Sequence, residues 1–311
     1  MERDELAAYR LANQQIASTR YKDPGEIVSF MGAMQAQDYP ASLWAIGLRL
    51  KGATKKDIEA AISDKSIVRT WPMRYTLHFV SHKDVKWMLG LYREKTIPNY
   101  QKKNGLTDEI LKHGERIILK AFDGKSRLSS KEIYSKMSDS NNAVLKKREV
   151  QMHILRRAGR DGIVCYASHE GKQPTFALLN EWIKEPNRLS KEQAVAELAS
   201  KYFTSHGPAT IKDFVWWSGL RVSDAKLGIE SSSAVLAEEK MDEKTYYMSK
   251  KMPKLKGNET GVHLLPAFDE YLISYSDRSA ILGNPSTQKY LESGTKTFIH
   301  SSVYESWPEE I

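Results

Sequence analysis

A recurring order of predicted segments constrains the fold of this 311-residue chain more than any single motif does. In its clearest copy, Ser190 and Gln193 form a capping-box pattern, and apolar residues then recur at helical spacing through Tyr202. A second helix is predicted between a capping residue, Thr210, and Gly219, and a third helix follows. Two strand-like runs, AVLAEEK and KTYYMS, complete the copy. Three helices and a hairpin are typical of a winged helix.

Two further copies of this order precede it. The middle copy contains the predicted helices TDEILKHGERIILKAFDG, SSKEIYSKM and REVQMHILRRAGRDG, and then the strand-like runs IVCYAS and PTFALL. The first copy contains the predicted helices DELAAYRLANQQI, PGEIVSFMGAMQAQ and ATKKDIEAAISD, and a hairpin that turns around Pro72. We therefore predict a mainly α fold with β hairpins (α+β), with three tandem winged-helix units at residues 1–100, 101–186 and 187–250.

The pattern changes at residue 251. A basic linker with glycine and proline, KMPKLKGNETG, is followed by HLLPAFDEYLISYSDRSAILG, in which apolar and polar residues alternate. The alternation predicts a small β-barrel-like module at residues 251–311. Because a module of ~60 residues forms only a marginal core, we expect it to pack against the helical units.

Composition and charge narrow the class of protein. The net charge of +8 and the pI of about 9.2 favour an anionic partner, nucleic acid first. A single cysteine, Cys165, excludes an internal disulfide and a Cys-rich zinc site, and phosphate-binding loops and metal-helix motifs are absent from the sequence. We therefore predict no cofactor and no metal. The charged N-terminus, MERDELAAYR, and the lack of a long apolar run predict a cytoplasmic protein, and we expect it to be a monomer.

The predicted winged helices suggest where DNA would bind. A recognition helix enters the major groove and a wing reaches the backbone or the minor groove. Phosphate contacts are therefore predicted for Arg156, Arg157 and Arg160 on the third helix of the second unit, and for Lys172 on its wing. A solvated helix face explains each of these residues equally well.

The hairpin RTWPMRYTLHFV carries a second basic group. Arg69, Arg74 and His78 alternate with apolar residues, as one face of a hairpin requires. The hairpin either packs at the edge of a core or borders a nucleic-acid channel, and the pattern fits both interpretations.

The stretch MGAMQAQDYPASLW contains two amides and a carboxylate, Gln35, Gln37 and Asp38, where a predicted helix meets Pro40. Such groups could cap the helix end or hold a water molecule for chemistry. Local pattern does not separate the two possibilities.

Four stretches together resemble one family: QAQDYPASLWAIGLRL, SIVRTWPMRYTLHFV, YFTSHGPATIKDFVWWSGL and LPAFDEYLISYSDRS. In their order and spacing they resemble the AlkZ/YcaQ-like winged-helix DNA glycosylases, from about residue 6 to about residue 283. The resemblance implies three tandem winged helices and a C-terminal β-barrel around a concave DNA-binding face. It also implies repair of alkylated and interstrand-crosslinked DNA.

The resemblance assigns roles to particular residues. The family's catalytic signature, Gln-x-Gln or Gln-x-Asp, corresponds to Gln35 and Gln37, the branch associated with crosslink-type lesions. Because an amide can orient water but is not a strong base, we expect Gln37 to position a water, Gln35 to orient it or the sugar, and Asp38 to help electrostatically or serve a helix end. The resemblance also implies that the segment from Asp269 to Arg278 lies near DNA, which adds Arg278 to the predicted DNA-binding residues. The ending TFIHSSVYESWPEEI departs from the usual V-x-G-x-W, so we expect an incomplete or altered barrel.

The predicted function is hydrolysis of the N-glycosidic bond of N7-alkylpurines or crosslinked nucleotides in duplex DNA, by a monofunctional glycosylase. A non-catalytic winged-helix DNA-binding protein or transcriptional regulator is the alternative. An interaction scaffold would explain the repeated order of segments but not the glutamine pair.

Overall fold

The computed structural model describes residues 3–17, 19–92, 101, 103–171, 173–184, 188–255 and 262–282. Packing divides the chain into two compact units. The first unit consists of residues 1–61 and 189–311, and the second consists of residues 62–188. The first unit therefore joins the two ends of the sequence.

Helices and strands alternate along the chain. The helices are α1 (Arg3–Asn13), α2 (Pro24–Met31), α3 (Tyr39–Gly47), α4 (Lys55–Ser63), α5 (Val85–Tyr92), α6 (Asp108–Ala121), α7 (Ser130–Ser138), α8 (Arg148–Arg160), α9 (Leu179–Trp182), α10 (Lys191–Ser205), α11 (Ile211–Ser218), α12 (Val222–Ser231), α13 (Glu270–Ile273) and α14 (Ser279–Leu282). A short 3-10 helix spans Ala143–Lys146. The strands are β1 (Ala33–Gln35), β2 (Ile67–Met73), β3 (Thr76–Ser81), β4 (Leu128–Ser129), β5 (Val164–Tyr166), β6 (Thr175–Leu178), β7 (Ala209–Thr210), β8 (Leu236–Met241) and β9 (Lys244–Ser249).

In the first unit, local signals predicted the elements well. Ser190 and Thr210 each complete a capping box, at the starts of α10 and α11. Gly219 adopts a left-handed conformation (φ 67°) and ends α11. Strands β8 and β9 pair as the predicted hairpin, and β7 adds a third strand next to β9. Aromatic side chains pack in the core of this unit, where the centre of the Tyr202 ring lies 4.9 Å from the centre of the Trp217 ring.

In the second unit, α6, α7 and α8 are followed by paired strands β5 and β6, as predicted. The predicted hairpin of the first copy, β2 and β3, also belongs to this compact unit, because Arg69 in β2 pairs with Tyr166 in β5. The strands of this unit run in the order β3, β2, β5, β6, β4. The assignment of this hairpin to a separate winged helix, and the three-unit division with it, stays a prediction.

The turn of the β2–β3 hairpin differs from the prediction. Arg74 and Tyr75 form it, each with a positive φ (50° and 59°), which matches the two-residue turns that suit twisted strands. Pro72 lies inside β2, where the pairing register shifts between Thr70 and Met73. The irregularity explains how a residue without a backbone N–H is tolerated within a strand.

The β-rich prediction is wrong for residues 262–282, where the structure has α13 and α14 and no strand. The acidic residues explain the difference. The Asp269 carboxylate accepts a hydrogen bond from the Tyr271 N–H at 2.9 Å, and the Asp277 carboxylate accepts one from the Ser279 N–H at 3.0 Å. Such caps start helical turns where the alternation alone indicated strands. The rest of the predicted module, from residue 283, lies outside the described residues.

Among the helices of the described ranges, none combines the length and the apolar character needed to cross a membrane.

Gly159 provides a test of the core of the second unit. A Cβ at this position of α8 would overlap Cε3 of the buried Trp71. We expect Gly159→Ala to lower the free energy of unfolding by about 1–3 kcal/mol, measured by urea denaturation, because the ring must shift in a packed core.

Gly90 is the matched control, since it lies in α5 of the same unit and a Cβ there meets no atom within 4 Å. Gly90→Ala should stabilise the protein by about 0.5–1 kcal/mol through helix propensity alone. Equal effects of the two substitutions would contradict the proposed packing of Trp71.

Candidate active site

The glutamine pair lies in a short connection between two helices. The predicted helix that contained it ends earlier, at Met31, because Gly32 adopts a φ of 81°. Gln35 closes the three-residue strand β1. Pro40 does not break a helix but lies in the first turn of α3, where its missing N–H costs nothing.

Asp38 has a clear local role. Its carboxylate Oδ1 accepts a hydrogen bond from the Ala41 N–H at 3.1 Å, so Asp38 is the N-cap of α3. Asp38 therefore serves the start of α3, whereas the sequence pattern predicted a capping role at the end of the preceding helix. Gln35 is half-buried and Gln37 is exposed, on either side of the buried Ala36.

Glu270 contacts the glutamine segment from the other end of the chain. Its carboxylate Oε1 accepts a hydrogen bond from the backbone N–H of Gln35 at 2.7 Å. Its Oε2 accepts from Trp217 Nε1 at 2.9 Å and from Ser274 Oγ at 2.5 Å. The side chain is 1% exposed, so these donors replace the water that a carboxylate needs.

His206 lies next to this carboxylate. Its Nε2 is 3.8 Å from Glu270 Oε2, and its Nδ1 is 2.8 Å from Ser205 Oγ. The Ser205 hydroxyl donates to the Lys201 carbonyl, so Nδ1 carries the proton that it donates to Ser205. Complete burial lowers the pKa of His206, against the opposing effect of the neighbouring Glu270 carboxylate.

Asp269, the neighbour of Glu270, is held by a buried ion pair. Arg49 donates two hydrogen bonds of 2.8 Å to its carboxylate, and both side chains are fully buried. The same guanidinium donates to the Ala45 carbonyl at 2.8 Å and to Gln14 Oε1 at 2.9 Å. A planar guanidinium with several acceptors is the arrangement that makes a buried charge tolerable.

Sequence reasoning missed the roles of Arg49 and Glu270. The signal was present in AFDEYL, where two adjacent carboxylates stand among apolar residues and therefore need buried partners. The sequence does not identify these partners, because Arg49 is 220 residues from Asp269 and Gln35 is 235 residues from Glu270.

The predicted basic residues of the hairpin are packed rather than freely extended. Arg69 and His78 are buried, and the Arg69 guanidinium lies 4.7 Å from the centre of the Tyr166 ring. Arg74 is half-buried, and its Nη2 lies 3.5 Å from His78 Nε2. This geometry agrees with the interpretation of a hairpin that packs on a core.

The three predicted arginines of α8 differ in their surroundings. Arg156 is exposed, Arg157 pairs with Asp161 at 3.2 Å, and the Arg160 guanidinium lies 4.0 Å from the centre of the Tyr75 ring. Burial, and after it the charges of all three arginines, lower the pKa of His153 to about 4. Three arginines therefore lie near His153, and Asp161 pairs with one of them.

Two predicted DNA-binding residues remain, Arg278 and Lys172. The Arg278 guanidinium, in the first unit, lies 5.9 Å from the centre of the half-exposed Trp216 ring. Lys172 lies outside the described residues. Across the described ranges, His, Cys, Asp and Glu residues form no group that could hold a metal ion.

Comparison with known proteins identifies the family. Residues 28–298 match the family described as DNA glycosylase AlkZ-like, which covers most of the chain. The chain belongs to the AlkZ-like DNA glycosylase family. The resemblance found in the four sequence stretches is therefore confirmed.

Two comparisons with Streptomyces sahachiroi proteins agree with this assignment. An interstrand DNA cross-link repair glycosylase is 21% identical over 299 residues, which cover 90% of this chain and 79% of the relative. The solved structure of the DNA glycosylase AlkZ matches with a TM-score of 0.74 at 18% identity, over 92% of this chain and 81% of that chain. At this identity the structural match establishes the AlkZ-like fold.

The Arg49–Asp269 pair of this AlkZ-like protein yields a stability prediction. Asp269→Asn leaves the Arg49 charge buried without its counter-charge, so we expect the free energy of unfolding to fall by about 3–5 kcal/mol in urea denaturation.

Glu59→Gln is the control, because the Lys55–Glu59 pair is exposed and should contribute less than about 1 kcal/mol. If the two substitutions lower the free energy of unfolding equally, the buried pair does not stabilise the first unit in the way that its geometry indicates.

Proposed function

We propose that this AlkZ-like chain is a monofunctional glycosylase that hydrolyses the N-glycosidic bond of N7-alkylpurines or interstrand-crosslinked nucleotides in duplex DNA. The observation that carries the proposal is the glutamine segment itself. An exposed Gln37 follows a Gln35 whose backbone is hydrogen-bonded to a buried carboxylate. The printed name of the Streptomyces relative, an interstrand DNA cross-link repair glycosylase, supports this class of substrate.

The chemistry suits neutral side chains. Alkylation at purine N7 places a positive charge on the base, so the bond to the sugar is already weakened and the leaving group departs neutral. The remaining task is to stabilise an oxocarbenium-like sugar and to direct a water at its anomeric carbon. In this proposal the Gln37 carbonyl oxygen accepts a hydrogen bond from that water, and Gln35 orients the water or the sugar. Asp38 contributes only its charge, because its carboxylate caps α3.

Water, rather than a lysine amine, is the proposed nucleophile. Lys201 packs its side chain beside Gly32, close to the glutamine segment. Its Nζ donates hydrogen bonds to the carbonyl and the hydroxyl of Ser29 at 2.8 Å and 3.2 Å, and it pairs with Glu197. An amine engaged in hydrogen bonds in this way is a poor nucleophile, which supports the monofunctional assignment.

The proposed substrate is duplex DNA, bound through basic residues by a monomer. The net charge of +8 and the three arginines of α8 suit a phosphate backbone. A protein with this substrate would work on the nucleoid in the cytoplasm. Arg156, which is exposed, is the best-suited phosphate contact among the arginines of α8.

Gln37→Ala tests the catalytic role. We expect the single-turnover release of 7-methylguanine from duplex DNA to fall by about 100-fold or more, since misplacement of the attacking water by about 1 Å costs about that much. Affinity for the same duplex should stay within about twofold, because the substitution removes an amide and no cation.

Gln37→Asp is the matched comparison, because it creates the other form of the family signature and retains an oxygen that accepts from water. It should retain activity within about tenfold of the wild type. A wild type that binds undamaged and damaged duplexes but releases no base, from 7-methylguanine or from a crosslink, would replace this proposal with a non-catalytic DNA-binding role.

Two arginines of α8 form a matched pair for DNA binding. Arg156→Ala should weaken binding to any duplex and reduce the slope of log affinity against log salt by about 1, as expected for one lost phosphate contact. Arg157→Ala should change the slope less, because Asp161 already neutralises Arg157. A larger effect of Arg157→Ala, measured by fluorescence anisotropy over a salt series, would contradict this assignment.

A further inference from the structure

The Gln35–Glu270 hydrogen bond joins a backbone N–H to a buried carboxylate that also accepts hydrogen bonds from core side chains. Glu270 uses Oε1 for Gln35 and Oε2 for Trp217 and Ser274. Its side chain therefore has both oxygens engaged in directed bonds. A carboxylate fixed in this way accepts a stronger hydrogen bond than a neutral oxygen does.

The glutamine segment needs such a restraint. It begins at Gly32, whose left-handed conformation other residues rarely adopt, and it ends at Asp38, where the cap of α3 starts. Between these two points β1 supplies only three residues of strand. The Gln35 N–H lies at the centre of the segment and is the point where Glu270 holds it.

Trp217 contacts both the Glu270 carboxylate and the turn at Gly32. Its indole N–H donates to Glu270 Oε2 at 2.9 Å, and its Cη2 lies 3.6 Å from where a Cβ of Gly32 would be. The Trp217 side chain is fully buried and packs on the Tyr202 ring. The core of the first unit therefore fixes both the carboxylate and the turn that leads into the glutamine pair.

We propose that Glu270 is a positioning residue for the proposed reaction, which fixes the backbone of Gln35 and thereby the direction of the Gln35 and Gln37 amides. This inference rests on the proposed glycosylase function. Glu270 has no contact with the substrate in this scheme. It acts through Gln35, because misplacement of a catalytic group by about 1 Å costs about 100-fold in rate.

Glu270→Ala and Glu270→Gln separate positioning from general stability. Glu270→Ala should lower the single-turnover rate of 7-methylguanine release by about 100-fold with little change in DNA affinity. Glu270→Gln keeps an oxygen that can accept from the Gln35 N–H, so it should restore the rate to within about tenfold of the wild type. It also serves as the interpretable variant if the alanine form does not fold.

Amide hydrogen exchange of the peptide that spans residues 31–44 provides a readout that does not depend on catalysis. Glu270→Ala should accelerate exchange in this peptide, and Glu270→Gln should accelerate it much less. Asp213→Asn is the matched control, because Asp213 is equally buried in the same unit but accepts from Thr210 and Ser276. It should leave both the exchange of residues 31–44 and the rate of base release unchanged.

The outcomes separate the two proposals. Faster exchange together with a slower rate in Glu270→Ala, and recovery of both in Glu270→Gln, support the positioning role. An unchanged rate, an unchanged exchange, or an equal effect of Asp213→Asn overturns it. A wild type that releases no base overturns the proposed glycosylase function, while the exchange measurement still decides whether Glu270 holds the glutamine segment.

Discussion

Two adjacent buried carboxylates, Asp269 and Glu270, join distant segments of the first unit through hydrogen bonds. Asp269 pairs with Arg49 through two hydrogen bonds of 2.8 Å, and Glu270 accepts from Gln35, Trp217 and Ser274. Burial makes each of these charges costly unless every oxygen has a donor. The requirement for these donors joins segments that are more than 200 residues apart in the sequence.

This arrangement suits the proposed chemistry. The buried carboxylates accept structural hydrogen bonds, and the Asp38 carboxylate caps α3. The exposed side chain of the glutamine pair is therefore the neutral amide of Gln37. An amide orients water without being a strong base, which is sufficient when the leaving group is a cationic purine. Catalysis would then depend on the accuracy with which the backbone holds the amides rather than on the pKa of a general base.

The basic residues of the second unit are preorganised to different degrees. Arg69 and Arg160 lie against the rings of Tyr166 and Tyr75, so their side chains have already lost much of their freedom. Arg156 is exposed. An arginine fixed on an aromatic ring loses less entropy when it meets a phosphate, whereas an exposed one adapts to the shape of the backbone.

The sequence by itself determined the features that depend on a few neighbouring residues. The capping boxes at Ser190 and Thr210, the helix end at Gly219 and the β8–β9 hairpin were all predictable, because a cap or a two-residue turn is a local hydrogen-bonding problem. The family was recognisable from four stretches for a similar reason, since the order and spacing of long motifs survive in the linear chain.

Only the tertiary structure decided how the glutamine segment is held. The local pattern predicted an α2 that continues past Met31, a helix break at Pro40 and a first hairpin that turns at Pro72. It also predicted strands at residues 262–282, and the structure differs at each of these points. Nor could the local pattern pair Gln35 with Glu270 or Arg49 with Asp269. A charged residue among apolar residues predicts that a buried partner is needed. The sequence does not identify that partner, because only folding brings distant donors within 3 Å of a desolvated carboxylate.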